Sequence, residues 1–594
     1  MLRVLSVVLL LLLPIGSRAE TGPRPAAADL EALITRTMRD WQVPGTAVAI
    51  VRGEDVLLVK GFGYRDVENK KPVTPRTQFR LASVTKSFTA AGVAALVTQG
   101  KLEWNRPVRE TMPEFRLYTD ALTERVTPLD LLSHRTGLPR HDSVWYYNRE
   151  LPREEMIRRL RYLEPNKDLR EAWQYSNFMF LVAGYLTGRV LNTTWEEAVA
   201  RLLFKPLAMS DTNSSIDEME QSRDHAEPYQ KDKQEVVQKV PNNKVGSMGP
   251  VGMINSTAED MSHYLSMLIN GGRYRGRQVL ASADVQKMTT AQMPVGPSDP
   301  RYPEMGEGHY GLGLSVTTFR GHRMVHHDGA LDGFRSHLAF LPDDKLGIMV
   351  LSNLGRTNFP VALSHELFDR LLDLPPANWG QRYFNDEQAG KAAEKEAEGK
   401  GYSPRKSGTH PSHPLAEYAG HYEHPAYGVI EIGSAGEQLR IHYGHLDVPL
   451  AHFHYDSFEF LAVPVPETKL RLRFETDGEG EIAGLSVPFE PLAGPIVFTR
   501  VADPRMRNPA FLKALTGEYE LGNSVLSIVL REDQQLLLVQ PTGQTLMLDP
   551  LRGTTFRVKE RAGWSVEFKR AADGTVSEAA LYTATSSLLL RRKP

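Results

Sequence analysis

A chain of 594 residues is too long for one compact core and predicts three or four domains. Its 41% apolar and 24% charged residues are the balance of a globular protein, and a formal net charge of −2 offers no footprint for nucleic acid. There is no cysteine, which excludes disulfides, thiol catalysis and cysteine-held metal, so covalent catalysis must use another nucleophile.

The N-terminus reads as an export signal. Arg3 gives the positive start, Val4 to Ile15 the apolar core, and Ser17-Arg18-Ala19 the small-residue cleavage site. That core is shorter than the roughly 20 apolar residues of a membrane span. Residues 1–19 are therefore expected to be removed, leaving a periplasmic or secreted protein without a stable membrane anchor; the alternative is an uncleaved anchor.

From Ala28 to Trp41 the pattern predicts a helix, followed by a hairpin of Gly45 to Val51 and Val56 to Val59. Next comes Phe79-Arg80-Leu81-Ala82-Ser83-Val84-Thr85-Lys86-Ser87-Phe88-Thr89-Ala90, where Phe88, Val93, Leu96 and Val97 recur at helical spacing and Gly100 is a stop. Ser83 and Lys86, three residues apart, share a face at the start of that helix, where backbone N–H groups are unpaired. The pair supplies a nucleophile, a base and a field that favours an anion. Ser403-Pro404-Arg405-Lys406 has the same spacing in a polar stretch, so context must decide between them.

The chain is mostly helical in pattern from Gly100 to about Met293, then strand-like over Tyr310 to Leu314, His337 to Leu341 and Leu346 to Leu351. A helix from about Asn358 to Leu372 closes this unit, residues 28–375. Strands at both ends of a helical insertion predict one antiparallel sheet with helices on its faces, and a cleft near the Ser83 helix. Residues 376–414, charged and then proline-rich, read as a linker with some helix.

Beyond it the chain repeats itself. Tyr418-Ala419-Gly420-His421-Tyr422 is echoed by Leu515-Thr516-Gly517-Glu518-Tyr519, and each G-x-Y opens about 85 residues of short apolar runs with a late D-G step, Asp477-Gly478 and Asp573-Gly574. Two β-barrel modules, 415–502 and 508–594, are expected; one longer β-domain is the alternative.

Two more segments give Ser83 its context: Trp173-Gln174-Tyr175-Ser176-Asn177-Phe178, entering an apolar helix, and Val325-His326-His327-Asp328-Gly329-Ala330 before the strand run. Taken alone, the latter could be a His/Asp metal site or a polar hairpin, and metal is disfavoured without a second histidine motif.

With Phe79 to Ala90, Leu131-Leu132-Ser133-His134-Arg135-Thr136-Gly137-Leu138-Pro139, Tyr175-Ser176-Asn177 and His327-Asp328-Gly329 in this order, the chain from about Leu30 to Leu374 resembles the penicillin-recognising serine hydrolases. That superfamily contains class C β-lactamases, DD-peptidases, D-aminopeptidases and related esterases. The resemblance implies an α+β, β-lactamase/transpeptidase-like domain. It makes Ser83 the nucleophile, Lys86 its base, and Tyr175 the relay of the proton to the leaving group. Asn177 would orient Lys86 and the substrate backbone, and Gly329 would let an edge strand approach the substrate. The N–H groups of Ser83 and Ala330 would form the oxyanion hole. His327, standing where the K-T-G pattern has lysine, would lack a permanent charge for a substrate carboxylate. Some D-aminopeptidases of the superfamily carry H-x-G and two C-terminal β-barrels, a layout this chain resembles.

The expected function is that of an exported serine hydrolase forming an acyl-enzyme on small amides, peptides or esters, with a peptidase or aminopeptidase placed before an esterase and a β-lactamase third. A ligand-binding protein without turnover is the competing class. No cofactor or metal is called for. The expected partners are small-molecule or peptide substrates, cell-wall material among them. The β modules read either as binders of such polymers or as structural caps and oligomer interfaces.

Overall fold

The computed structural model describes residues 25–594 apart from 245, 401–403, 437, 463–467, 479, 533, 553, 571–574, 584 and 594. The export signal, Ser403 and the Asp573-Gly574 step lie outside the described residues.

One antiparallel sheet of nine strands organises the first domain. Its strands are β1 (Gly45–Arg52), β2 (Asp55–Asp66), β3 (Lys71–Pro72), β4 (Met293–Gly296), β5 (Gly308–Tyr310), β6 (Ser315–Phe319), β7 (His322–Leu331), β8 (Phe334–Leu341) and β9 (Leu346–Ser352). They lie in the order β4-β5-β6-β7-β8-β9-β1-β2-β3, so β1 joins the two distant ends of the domain by pairing with β9, Ala49 opposite Met349. Successive side chains of a strand face opposite ways. In β1, Ala47, Ala49 and Val51 enter one core and Val48 and Ile50 the other; Met349 and Leu351 divide from Ile348 and Val350 in the same way. Both faces are therefore covered, which is why β1 and β9 read as unbroken apolar runs.

Helices α1 (Ala27–Trp41) and α5 (Phe359–Leu371) cover one face. On the other lies α2 (Thr85–Thr98), in which every residue from Thr85 to Leu96 is buried, as expected of a helix that is apolar all round. Two more helices matter for the cleft: α3 (Ser143–Tyr147) and α4 (Asn177–Leu191).

Two expectations are corrected. Tyr310 to Leu314 is not one strand: β5 ends at Tyr310, and Gly313, at φ 70°, turns the chain so closely over α2 that a Cβ would lie 2.7 Å from the Lys86 carbonyl. The expected linker opens with α6 (Trp379–Lys400), whose Trp379 is wholly buried against the sheet and donates to Asp369 at 2.9 Å. Trp379, with Tyr383 stacked 4.8 Å from Tyr302 and Phe384 5.4 Å from Trp41, anchors the helix, and the charged residues after them masked the signal.

The two repeats are closed, eight-stranded antiparallel barrels, spanning Gly420–Val501 and Gly517–Arg592, so the chain has the expected α+β class with two all-β barrels. The repeated G-x-Y has a partner that periodicity did not show. Arg500 and Arg592, on the last strands, pair with Tyr422 and Tyr519 and close each barrel. Arg500 donates to Ala419 O at 2.7 Å, Arg592 donates to Thr516 O, and the guanidinium groups lie where a Cβ on Gly420 or Gly517 would stand. The first barrel shares a continuous apolar core with the first domain, whereas the second has its own.

Candidate active site

The turn that carries Ser83 is strained and pinned from three sides. Ala82, the residue before it, sits at φ 48° although it has a side chain and is buried, a conformation that persists only where the surroundings enforce it. Leu81 N donates to Ile254 O at 2.9 Å, and Ser336 of β8 donates its hydroxyl to Leu81 O at 2.7 Å. A short 3-10 turn, Ala82–Val84, then passes into α2.

Lys86, one turn on, is fully buried and donates to Ser83 Oγ and to Val251 O, both at 3.1 Å. Desolvation holds its pKa well below that of a free lysine, despite attraction from Asp142. A neutral amine beside a hydroxyl can accept its proton, so the geometry matches a nucleophile–base pair.

Tyr175, in the loop before α4, brings its hydroxyl to interact with Ser83, and its ring lies 4.9 Å from Lys86 Nζ. Desolvation raises the Tyr175 pKa, so it stays protonated and is equipped to donate. The Ser133-His134-Arg135-Thr136-Gly137 segment holds this loop from behind. His134 accepts from Ser176 N on Nδ1 at 3.0 Å, its carbonyl accepts from Gln174 N at 2.8 Å, and its ring lies 4.4 Å from that of Tyr175. Burial keeps His134 neutral by pushing its pKa far down. Asp130, fully buried, ties the segment together by accepting from Arg135 at 2.6 Å and Arg170 at 2.8 Å.

The remaining expected residues divide. Asn177 lines the cleft, but its amide donates to Asp142 at 2.9 Å rather than serving Lys86. Ala330 is exposed in the cleft wall, on the half of β7 that β6 leaves uncovered, because their pairing ends at His326 opposite Ser315. His327 lies under the cleft surface, as Lys86 does. It is buried, with Nδ1 donating to Asp328 O at 2.6 Å and Nε2 at 3.0 Å from the Tyr310 hydroxyl, and desolvation lowers its pKa to about 4. Its ring lies 6.5 Å from that of Tyr175, on the face of β7 that it shares with Gly329 and opposite to that of Ala330.

Gly329 has a neighbour that the motif did not show. A Cβ there would lie 2.1 Å from Leu81 O and 2.4 Å from Ser336 Oγ, so the bare backbone lets β7 approach the nucleophile turn. Gly329→Ala is expected to shift that turn and lower the rate of Ser83 acylation by a fluorophosphonate about a hundredfold. Unchanged labelling kinetics would show that the turn can give way at no cost.

The cleft over Ser83 encloses about 630 Å³. Its wall carries both charge signs, with Arg140, Arg149, Arg335 and Arg356 beside Asp142, Asp332 and Glu387, and apolar surface from Trp145, Tyr146 and Leu331. None of the lining residues belongs to a barrel. Asp142 was missed by sequence reasoning, yet it accepts from Arg140 at 2.7 Å, Trp145 at 2.8 Å and Asn177 at 2.9 Å. Its only signal was its position just past Gly137-Leu138-Pro139.

Comparison with known proteins agrees with this geometry. Residues 30–367 match the family described as Beta-lactamase, and residues 404–500 match a domain of unknown function, DUF3471. An unguisins hydrolase of Aspergillus campestris is 30% identical over 438 residues, covering 70% of this chain and 79% of that protein. Protein flp of Staphylococcus aureus strain MRSA252 is 26% identical, covering 57% of this chain and 64% of its own length. The octameric penicillin-binding protein homologue of Pyrococcus abyssi superposes with a TM-score of 0.52 at 23% identity, over 80% of this chain and 99% of that one, a likeness of fold.

Proposed function

Because the chain belongs to the Beta-lactamase family, whose fold is that of serine hydrolases, we propose that it is an exported acyl-transferring hydrolase of amide and peptide bonds. The observation that carries the reading is the buried Lys86 amine 3.1 Å from Ser83 Oγ, at the floor of an open cleft. Lys86 takes the proton of Ser83 as Oγ attacks the carbonyl carbon. Tyr175 passes a proton to the departing nitrogen, so that the C–N bond breaks as the amine leaves. Water then enters by the same route and hydrolyses the ester formed on Ser83. The Ala330 edge of β7 is placed to receive the substrate backbone, and with the Ser83 N–H to hold the oxyanion.

Two observations bear on substrate class. His327 is held neutral by burial, which removes the charge that would bind a β-lactam or C-terminal carboxylate at that motif. The acidic side chains Asp332 and Glu387 stand in the cleft wall, where they suit a free amine. A relative named for hydrolysing unguisins also favours a hydrolase over a binding protein without turnover.

The test compares kcat/KM for D-alanine p-nitroanilide with that for its N-acetylated form, using the N-terminal leader to follow export by fractionation. A preference for the free amine of at least about tenfold is expected, since one charge-paired contact is worth that much. Equal turnover of both, or turnover of p-nitrophenyl acetate alone, would replace the aminopeptidase reading with an esterase.

A further inference from the structure

Three consecutive residues, Arg140, His141 and Asp142, face in opposite directions. Arg140 and Asp142 line the cleft over Ser83, while His141 is buried and turned towards the first barrel. Its backbone lies at φ 48°, a left-handed conformation that a residue with a side chain adopts only when held there. The holding groups belong to the barrel. Glu490, itself buried, accepts from His141 N at 2.7 Å, and the Tyr427 hydroxyl lies 2.8 Å from His141 Nδ1.

The grip extends along the cleft wall. The Tyr147 ring packs 5.5 Å from that of Tyr443, and its carbonyl accepts from His445 N at 3.0 Å, both on the barrel. On the opposite side, Trp145 and Tyr146 of the same helix, α3, line the cleft. The cleft wall from residue 140 to 147 is thus a thin layer with substrate space in front and the barrel behind.

What this layer touches is catalytic. The Arg140 guanidinium lies 4.9 Å over the Tyr175 ring, and Asp142 accepts from Asn177 at 2.9 Å.

We propose that the first barrel is a positioning element of the active site: Glu490 and Tyr427 fix His141, and through it set Arg140 and Asp142 against Tyr175 and Asn177. The inference rests on the serine-hydrolase reading, because the quantity the barrel controls is the rate at which Ser83 is acylated. Glu490 and Tyr427 are positioning residues and touch no substrate.

The test uses the full chain with Glu490→Ala, Tyr427→Phe and Glu490→Gln. For each, the second-order rate of fluorophosphonate labelling at Ser83, kcat and KM for p-nitrophenyl acetate, and the melting temperature are measured. Tyr427→Phe keeps the ring and its packing and is expected to melt with wild type, yet to be labelled several-fold more slowly. Glu490→Ala is expected to lose about tenfold or more in labelling and in kcat/KM, and Glu490→Gln, which keeps an acceptor oxygen for His141 N, to recover most of it. The proposal is overturned if the alanine and phenylalanine variants are labelled at the wild-type rate. It is equally overturned if Glu490→Gln is no better than alanine and every loss follows the melting temperature, which is the mark of mere unfolding. Failure to label wild type at Ser83 would instead overturn the serine-hydrolase reading.

Discussion

Ser83→Ala is expected to lower turnover by about 10⁴–10⁶ and to abolish covalent labelling by a fluorophosphonate. The loss should be this large because the structure offers no substitute at that point. Lys86 is buried beneath Ser83, and the Tyr175 hydroxyl meets it from the side, so both are arranged around one oxygen. Removing that oxygen leaves a base and an acid with no group to act on. Residual hydrolysis by water held in the cleft sets the floor. The fold should be preserved, since Ser83 supports its turn through its backbone and the pinning contacts belong to Leu81, Ile254 and Ser336. Labelling that persists in Ser83→Ala would place the nucleophile elsewhere.

Lys86→Met is expected to lower turnover by about 10²–10⁴, the range of a positioned general base. Its effect on stability should have the opposite sign over much of the pH range. Lys86 has a folded pKa well below its value in the unfolded chain, about 10.4. Between the two values the unfolded chain binds more protons, so wild-type stability rises with pH there and falls as pH drops from about 10.4 towards the folded pKa. Methionine carries no proton in either state and removes this slope. The variant should therefore gain on wild type as pH falls below about 10 and lose that gain above it. Denaturant midpoints measured from pH 6 to 11 test this, and a wild-type curve parallel to that of Lys86→Met would show that the amine is not held neutral.

How far the sequence revealed this site can be followed residue by residue. Ser83 and Lys86 were legible because both sit at the start of one helix, where spacing translates directly into contact. Tyr175 is about 90 residues away and was legible only through its motif. For His327 the motif named a position and not its partners, the Tyr310 hydroxyl at 3.0 Å and the Asp328 carbonyl at 2.6 Å. Three residues along the same strand, Ala330 takes the opposite face and lines the cleft. Asp142 had only its place just past Gly137-Leu138-Pro139 and His141 no signal at all: their meaning depends on Asn177 and on Glu490, nearly 350 residues further on.

The fold divided along similar lines. The sheet's distant halves could be joined by their apolar runs, and the barrels by the echo of G-x-Y. The arginines that complete each barrel were hidden at the other end of the repeat, among strands whose alternating pattern drew attention to apolar residues alone. Trp379 escaped for the reverse reason, an apolar anchor at the start of a long helix whose remainder is charged.

The two barrels, alike in topology, differ in what surrounds their interiors. That of the first is continuous with the catalytic domain, and that of the second is separate among the described residues. Two modules of one topology are thus under unequal constraint. In the first, a substitution at the seam is judged by two domains at once, so its surface is bound to change only in step with the cleft. The second is judged by its own folding alone and is free to be exchanged, reshaped or lost between lineages, and sequence drift within this family should run faster there.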